Sequence, residues 1–257
     1  MSIYQHFREE ERSFVDQVLE WKYDVGTLHQ TKLTDFLDPR EQDIVKTVIG
    51  HDDDLSLSLW GGSSYSERKR AVLCPSYLDI TDEDFQLSLF AIDYPSKFVS
   101  IEHRDVLGSL MNIGLKREKF GDIVIEDGIA QLVVASEISD YVEWNVKQIG
   151  RATVTLNHIP FSAHINPKDE WDESTATVSS LRLDVVLAEV YKLSRTKVLP
   201  YIEKGLVKVN WKVSDQASFL VKEGDHLSVR GLGRSKLHAI EGKTKKDKLR
   251  LRFGRKR

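Results

Sequence analysis

Apolar positions recur along the chain with two different periods, and the changes of period divide it. From Ile3 to Tyr23, the residues Phe7, Phe14, Val18 and Trp21 fall near one or two helical turns apart, which predicts an amphipathic helix. Asp38 followed by Pro39 is an N-cap with proline at the first helical position, so a second helix is expected to run to about Ile49. The period then drops to two. Leu55, Leu57 and Leu59 alternate as a half-buried strand, followed by a Gly61-Gly62-Ser63-Ser64 loop. These elements make a small α/β domain over residues 1–80.

Residues 81–165 have a more telling order. Phe85 to Asp93 reads as a strand and Arg104 to Leu115 as a helix. Asp122 to Glu126 and Ile129 to Ala135 read as a hairpin around Asp127-Gly128. A helix follows from Glu137 to Ile149, with Ser136 as N-cap, and then a strand from Arg151 to His158. The order βαββαβ is that of ferredoxin-like domains and of RNA recognition motifs. The latter stack bases on exposed aromatics of two central strands, and neither Ile123-Val124-Ile125 nor Leu132-Val133-Val134 offers one. From Pro160 to Ser180 the chain turns polar and acidic, so residues 166–180 read as a linker, with Trp171 either docked on a neighbour or exposed.

Helical spacing returns after that. Leu183, Val186, Leu187 and Val190 share one face, and Ser194 caps a second helix that turns Val198, Leu199 and Ile202 inward. Gly205 supplies a left-handed C-cap leading into the strand Leu206 to Asn210, and a hairpin turns at Glu223-Gly224-Asp225. In the tail, Leu249, Leu251 and Phe253 alternate with Lys248, Arg250 and Arg252. That pattern makes either a strand or a disordered segment that orders on RNA. The fold class is α+β: a small α/β domain, a ferredoxin-like domain and two helices on a small sheet.

Charge adds what periodicity lacks. The net charge of -3 hides a division: residues 1–180 carry 17 Lys/Arg against 32 Asp/Glu, and residues 181–257 carry 20 against 8. A terminal segment that basic attracts polyanions by releasing their condensed counterions, while the acidic part repels them. The single cysteine, Cys74, permits no internal disulfide and no cysteine metal cluster. With no run long and apolar enough to cross a membrane and a polar N-terminus, a cytoplasmic location is expected.

Five short motifs then combine. Arg182-Leu183-Asp184, Leu187-Ala188, Ser194-Arg195, Gly205-Leu206-Val207-Lys208-Val209-Asn210 and Glu223-Gly224-Asp225 resemble the S4 RNA-binding domain in residue type, order and spacing. By that resemblance Arg182, Ser194, Arg195, Thr196, Lys197, Lys204, Lys208 and Asn210 line an RNA face, with Arg230, Arg234 and Lys236 extending it. The helix start at Ser194 would present free N–H groups to phosphate, and Asp184 would orient Arg182 or cap its helix. Two departures stand out. Trp211 replaces the glycine usual after the Asn, which puts the hairpin's turn in doubt, and Pro200 should kink or shorten the second helix.

Upstream, Gly61-Gly62 with Glu67-Arg68-Lys69-Arg70, then His103-Arg104-Asp105-Val106-Leu107-Gly108 with Gly114, Arg117-Glu118-Lys119 and Gly121-Asp122, resemble the YlmH-type S4-domain proteins of bacteria. The resemblance implies binding of rRNA and tRNA on the large ribosomal subunit during rescue of stalled translation, and genes beside those of cell division. Arg68, Lys69, Arg70, Arg104, Arg117, Lys245, Lys246, Arg250 and Arg252 are further candidate RNA contacts. The alternatives are an RNA-modifying enzyme, since S4 domains accompany pseudouridine synthases and methyltransferases, and a cell-division adaptor holding a protein partner. Competing motifs fail on spacing. His103-Arg104-Asp105 has Leu110 where a kinase catalytic loop needs Asn, and Gly61-Gly62 lacks the ending of a P-loop. Asp52-Asp53-Asp54 is no EF-hand and the histidines lack zinc spacing, so neither cofactor nor metal is expected.

Overall fold

Val15, Val18, Trp21 and Val25 form the buried stripe of helix α1, Arg12–Leu28. The computed structural model describes residues 3–7, 9–166 and 171–256. Helix α1 starts later than periodicity predicts, because Ile3–His6 and Glu9–Glu11 are short 3-10 turns; Phe7 still packs on the same core from one turn away. Strand β1 (Lys32–Leu33) precedes helix α2 (Pro39–Ile49), which begins at a full capping box. There the Asp38 carboxylate accepts from Glu41 N (2.9 Å) and the Glu41 carboxylate from Asp38 N (2.6 Å). Strands β2 (Leu55–Trp60) and β3 (Arg70–Pro75) complete an antiparallel sheet of order β1-β3-β2. Strand β3 is buried at every position, and an apolar run without alternation behind Arg68-Lys69-Arg70 gave no periodic signal of it.

The next stretch is ferredoxin-like. Strand β4 (Leu87–Asp93), helix α3 (His103–Asn112), strands β5 (Phe120–Glu126) and β6 (Ile129–Ala135), helix α4 (Ser139–Asn145), the hairpin β7 (Gln148–Ile149) and β8 (Ala152–Thr153), and strand β9 (Thr155–Ile159) follow in order. The sheet runs β5-β6-β4-β9, antiparallel throughout. Its central pair is therefore β4 and β6, which corrects the reading that placed Ile123 to Ile125 in the centre. Helix α4 is shorter than expected: Val146 and Ile149 are buried as the spacing requires, but from a turn and from β7.

Both faces of this sheet are covered. Phe90, Ile92, Leu132 and Val134 pack under α3 and α4, while Leu89, Val133 and Ala135 lie on the other face with Phe36, Ile159 and Phe161. Two glycines allow that approach: a Cβ on Gly121 would sit 2.7 Å from the Phe36 ring, and one on Gly62 would sit 2.6 Å from the Phe161 ring. The face on which RNA recognition motifs stack bases is thus core in this protein. Residues 1–80 dock there, and the two subdomains make one compact unit, Met1–Lys168.

The second unit, Asp169–Arg257, overturns the linker reading. Residues Trp171–Val178 form strand β10, paired along its whole length with the tail; residues 167–170 of the expected linker lie outside the described residues. Then come helices α5 (Leu183–Val190) and α6 (Arg195–Glu203), strands β11 (Val207–Val209) and β12 (Lys212–Val213), β13 (His226–Val229), β14 (Gly233–Lys243) and β15 (Leu249–Lys256). The sheet order is β10-β15-β14-β13-β11-β12. Its inner face, with Ala176, Val178, Leu227, Leu237, Leu251 and Phe253, packs on Leu183, Leu187, Val198 and Ile202 of the helices. The tail is a strand. Helix α6 runs through Pro200 and ends in a Schellman motif at Gly205 (φ 66°), with Leu206 N donating to Tyr201 O at 2.9 Å.

Candidate nucleic-acid interface

A single carboxylate organises the basic unit. Asp184, in the first turn of α5, is 1% exposed and accepts from both arginines singled out by sequence. Arg182 Nε donates to Oδ1 at 3.1 Å, Arg195 Nε donates to Oδ2 at 3.1 Å, and Arg195 Nη2 donates to the same oxygen. Burial opposes the charge on Asp184, but the hydrogen bonds from Arg195 and Arg182 outweigh it and hold the carboxyl below its ordinary range. The two guanidinium side chains stay 41% and 59% exposed, so each is oriented from within while part of it faces solvent. Sequence placed Asp184 beside Arg182. That it also grips Arg195, eleven positions on, depended on how α5 packs against α6.

Ser194 occupies the N-cap of α6 with extended backbone (φ -70°, ψ 150°), yet its hydroxyl bonds Thr196 Oγ1 (2.9 Å) rather than a backbone N–H. The helix start is left uncapped by side chains, beside Arg195 and Lys197, which suits an anion. Lys204 is the C-cap of α6, Arg230 follows β13, and Arg234 and Lys236 lie on β14. Register places Lys208, Arg234 and Lys236 on the sheet face away from the helices, since their neighbours Val207, Val209 and Leu237 fill the core. These cations therefore do not share one surface with Arg182 and Arg195. Asn210 spends its side chain internally, donating to Asp225 Oδ1 (2.8 Å) and accepting from His226 N (2.9 Å), so it braces the hairpin.

The turn in doubt is kept. Asn210 (φ 48°) and Trp211 (φ 63°) both sit in the left-handed region, the two-residue type I′ geometry that joins β11 to β12. For a tryptophan this backbone costs about 1–2 kcal/mol.

Several upstream candidates are structural. Arg70 is 4% exposed; its Nε donates to Thr34 O (2.6 Å), Nη1 donates to Gln86 O (3.1 Å), and it pairs with Glu137 at 3.1 Å. Arg117 donates to Phe120 O (2.6 Å) and Gly121 O (3.1 Å) and lies over the Phe120 ring. Arg68 donates to Phe36 O at 2.8 Å. A run of basic residues does not reveal which of its members face inward, and here the alternation with a buried strand decides it. Lys69 is half-buried, and Arg104 is exposed and paired with Glu102 (3.0 Å). Lys245, Lys246 and Arg250 are exposed, and Arg252 pairs with Glu241 (3.2 Å). Loop residues Gly61 and Gly62 are buried, with Ser66 Oγ donating to Gly61 O (2.8 Å). Buried Asp122 ties that loop down by accepting from Glu67 N (2.6 Å) and Arg68 N (3.1 Å). Among the described residues, Asp140, Glu143 and His158 come together with donor spacing, but they are exposed or half-buried and Glu143 already faces His158 at 3.5 Å.

Comparisons with known proteins give the family. Residues 10–78 match the family model "YlmH, N-terminal", residues 81–163 the "Putative RNA-binding domain in YlmH", and residues 181–227 the "S4 domain". The chain is 50% identical over 255 residues, 99% of either chain, to the "Ribosome-associated protein quality control protein P2" of Bacillus subtilis (strain 168). Among solved structures it resembles the "Cell division protein ylmH from Streptococcus pneumoniae", with 33% identity and a TM-score of 0.55, covering 64% of this chain and 100% of that one. No helix among the described residues is long and apolar enough to cross a membrane. With its S4 module, its ferredoxin-like domain and a relative matched almost end to end, the chain belongs to the YlmH family of RNA-binding S4-domain proteins.

Proposed function

We propose that this protein is a binding factor, not an enzyme, that grips rRNA or tRNA on the large ribosomal subunit and acts in quality control of stalled translation. The observation that carries the reading is the Asp184 bridge, which aims Arg182 and Arg195 from the starts of two helices beside the uncapped N-terminus of α6. Two guanidinium groups and free backbone donors, braced by a carboxylate that both arginines engage, suit phosphate and offer no group to move a proton. The relative named for ribosome-associated quality control, matched over 99% of either chain, supports the ribosomal part.

The test is sedimentation of the full chain with large subunits, followed by crosslinking to name the RNA. The wild type should travel with the large subunit in a salt-sensitive way, and Arg182→Ala with Arg195→Ala should release it. Cosedimentation that survives the double variant removes the site. A specific new modification in RNA incubated with the protein would replace binding by catalysis.

A further inference from the structure

The sheet of the second unit has an outer face, and two tryptophans that neither the S4 motif nor the core explains meet on it. Trp171, on β10, reaches His226 on β13, with ring centroids 5.8 Å apart. His226 also meets Trp211 of the β11–β12 turn, at 5.1 Å, and Trp171 meets His238 at 6.0 Å. Trp171 crosses two strands because Gly254 lies beneath it: a Cβ there would stand 2.5 Å from Trp171 Cβ and 2.7 Å from His238 Nε2. A break in register between Leu237 and Ala239 frees His238 from the ladder and turns it onto the same floor. The result is a continuous row of half-buried rings, Trp211, His226, Trp171 and His238, running across the sheet.

Charge says what such a row fits. Lys256 lies over the Trp171 ring at 5.6 Å, and register places Lys208, Arg234, Lys236, Arg250 and Arg252 on the same face. The acidic Glu173 and Glu241 are both paired with Arg252, at 3.7 and 3.2 Å. Rings set among cations on a sheet are the chemistry of single-stranded nucleic acid, whose bases stack on aromatics while the phosphates meet lysine and arginine. Strands β10, β14 and β15 also lie outside the residues matched by the S4 model, 181–227. Half of the row, Trp171 and His238, is thus an addition to that module, and the whole row lies on the opposite side of the sheet from the helices that carry Arg182 and Arg195.

We infer that the outer face of the C-terminal sheet is a second RNA site, which takes an unpaired segment by stacking bases on Trp211 and Trp171. This rests on the RNA-binding reading above and adds to it a distinct site with a distinct substrate form.

The test measures affinity of the full chain for two probes, a labelled oligouridylate of twelve nucleotides and a stable RNA hairpin. Trp211→Gly is the decisive variant, because glycine relieves the left-handed turn while removing the ring; Trp171→Ala is the second. Each should weaken oligouridylate binding about five- to a hundredfold, the range for losing one stacked base, and leave hairpin affinity unchanged. Arg182→Ala should do the reverse. If Trp211→Gly binds oligouridylate like the wild type, or weakens both probes alike, the second site is refuted. If it instead abolishes a nuclease-resistant protein association with RNA affinities unchanged, the row is a protein surface and the inference falls. Loss of hairpin binding by the wild type alone would refute the S4 reading and leave ring-dependent oligouridylate binding standing.

Discussion

Replacing Asp184 by Asn keeps the shape of the side chain and removes the charge that holds two arginines. In the wild type three charge-assisted N–H···O bonds converge on a carboxylate that is 1% exposed. Bonds to charged groups contribute about 1.5–3 kcal/mol each, and breaking a buried ion pair costs about 3–5 kcal/mol. Both arginines remain roughly half in water, so much of their charge is rehydrated, and a loss of about 2–3 kcal/mol is expected. Hydrogen exchange on the full chain reads this locally: amide protection across α5 and α6 should fall about thirty- to a hundredfold, with the first unit unchanged. RNA affinity should fall too, because the arginines lose their fixed direction. The pH dependence has a definite sign. Since the folded-state value for Asp184 is lowered, its contribution is full above the ordinary carboxylate value and is lost as pH falls through the lowered one. Asp184→Asn should lack that acid limb. Unchanged protection in α5 and α6 would refute the bracing role, and lost protection with intact RNA affinity would refute the link from Asp184 to binding.

The remaining predictions separate structural cations from binding ones. Arg70→Ala should destabilise the first unit by about 1–3 kcal/mol, since it leaves the carbonyl of buried Thr34 without a donor and leaves Glu137 to Lys119 alone, while RNA affinity stays the same; urea unfolding and RNA titration check both. Lys245→Ala with Lys246→Ala should flatten the salt dependence of RNA affinity by up to about two phosphate contacts, and an unchanged slope would show that the β14–β15 hairpin points away from RNA. A fragment beginning at residue 181 should unfold at lower denaturant than one beginning at residue 169, because it lacks β10 and uncovers Leu251 and Phe253; equal midpoints would mean that β10 adds no stability.

Where local chemistry settles local geometry, the elements were legible from residues alone. Asp38-Pro39 with Glu41 specifies a helix start through bonds no more than three residues long, and the structure has that capping box. Asp127-Gly128 and Gly205 specify left-handed backbone at a turn and a C-cap for the same reason, and both are found. The S4 motifs belong to this class as well, being short patterns that place a cap, a turn and an arginine at known offsets.

The elements misjudged are those whose reasons lie far along the chain. Residues 171–178 look like a linker because few of them are apolar; they form a strand because β15, some eighty residues later, offers an unpaired edge and the hydrophobic floor for Ala176 and Val178. Arg70 reads as a surface cation because residue type carries no information on which way a side chain faces, and pairing with Thr34, Gln86 and Glu137 turned it inward. The same holds for the meeting of Arg182 with Arg195 at Asp184 and of Trp171 with Trp211 around His226. Charge balance and short motifs marked which segment carries the S4 module. Which side chains stand together on it depended on strand register and helix packing, whose energies come from contacts between residues remote in sequence.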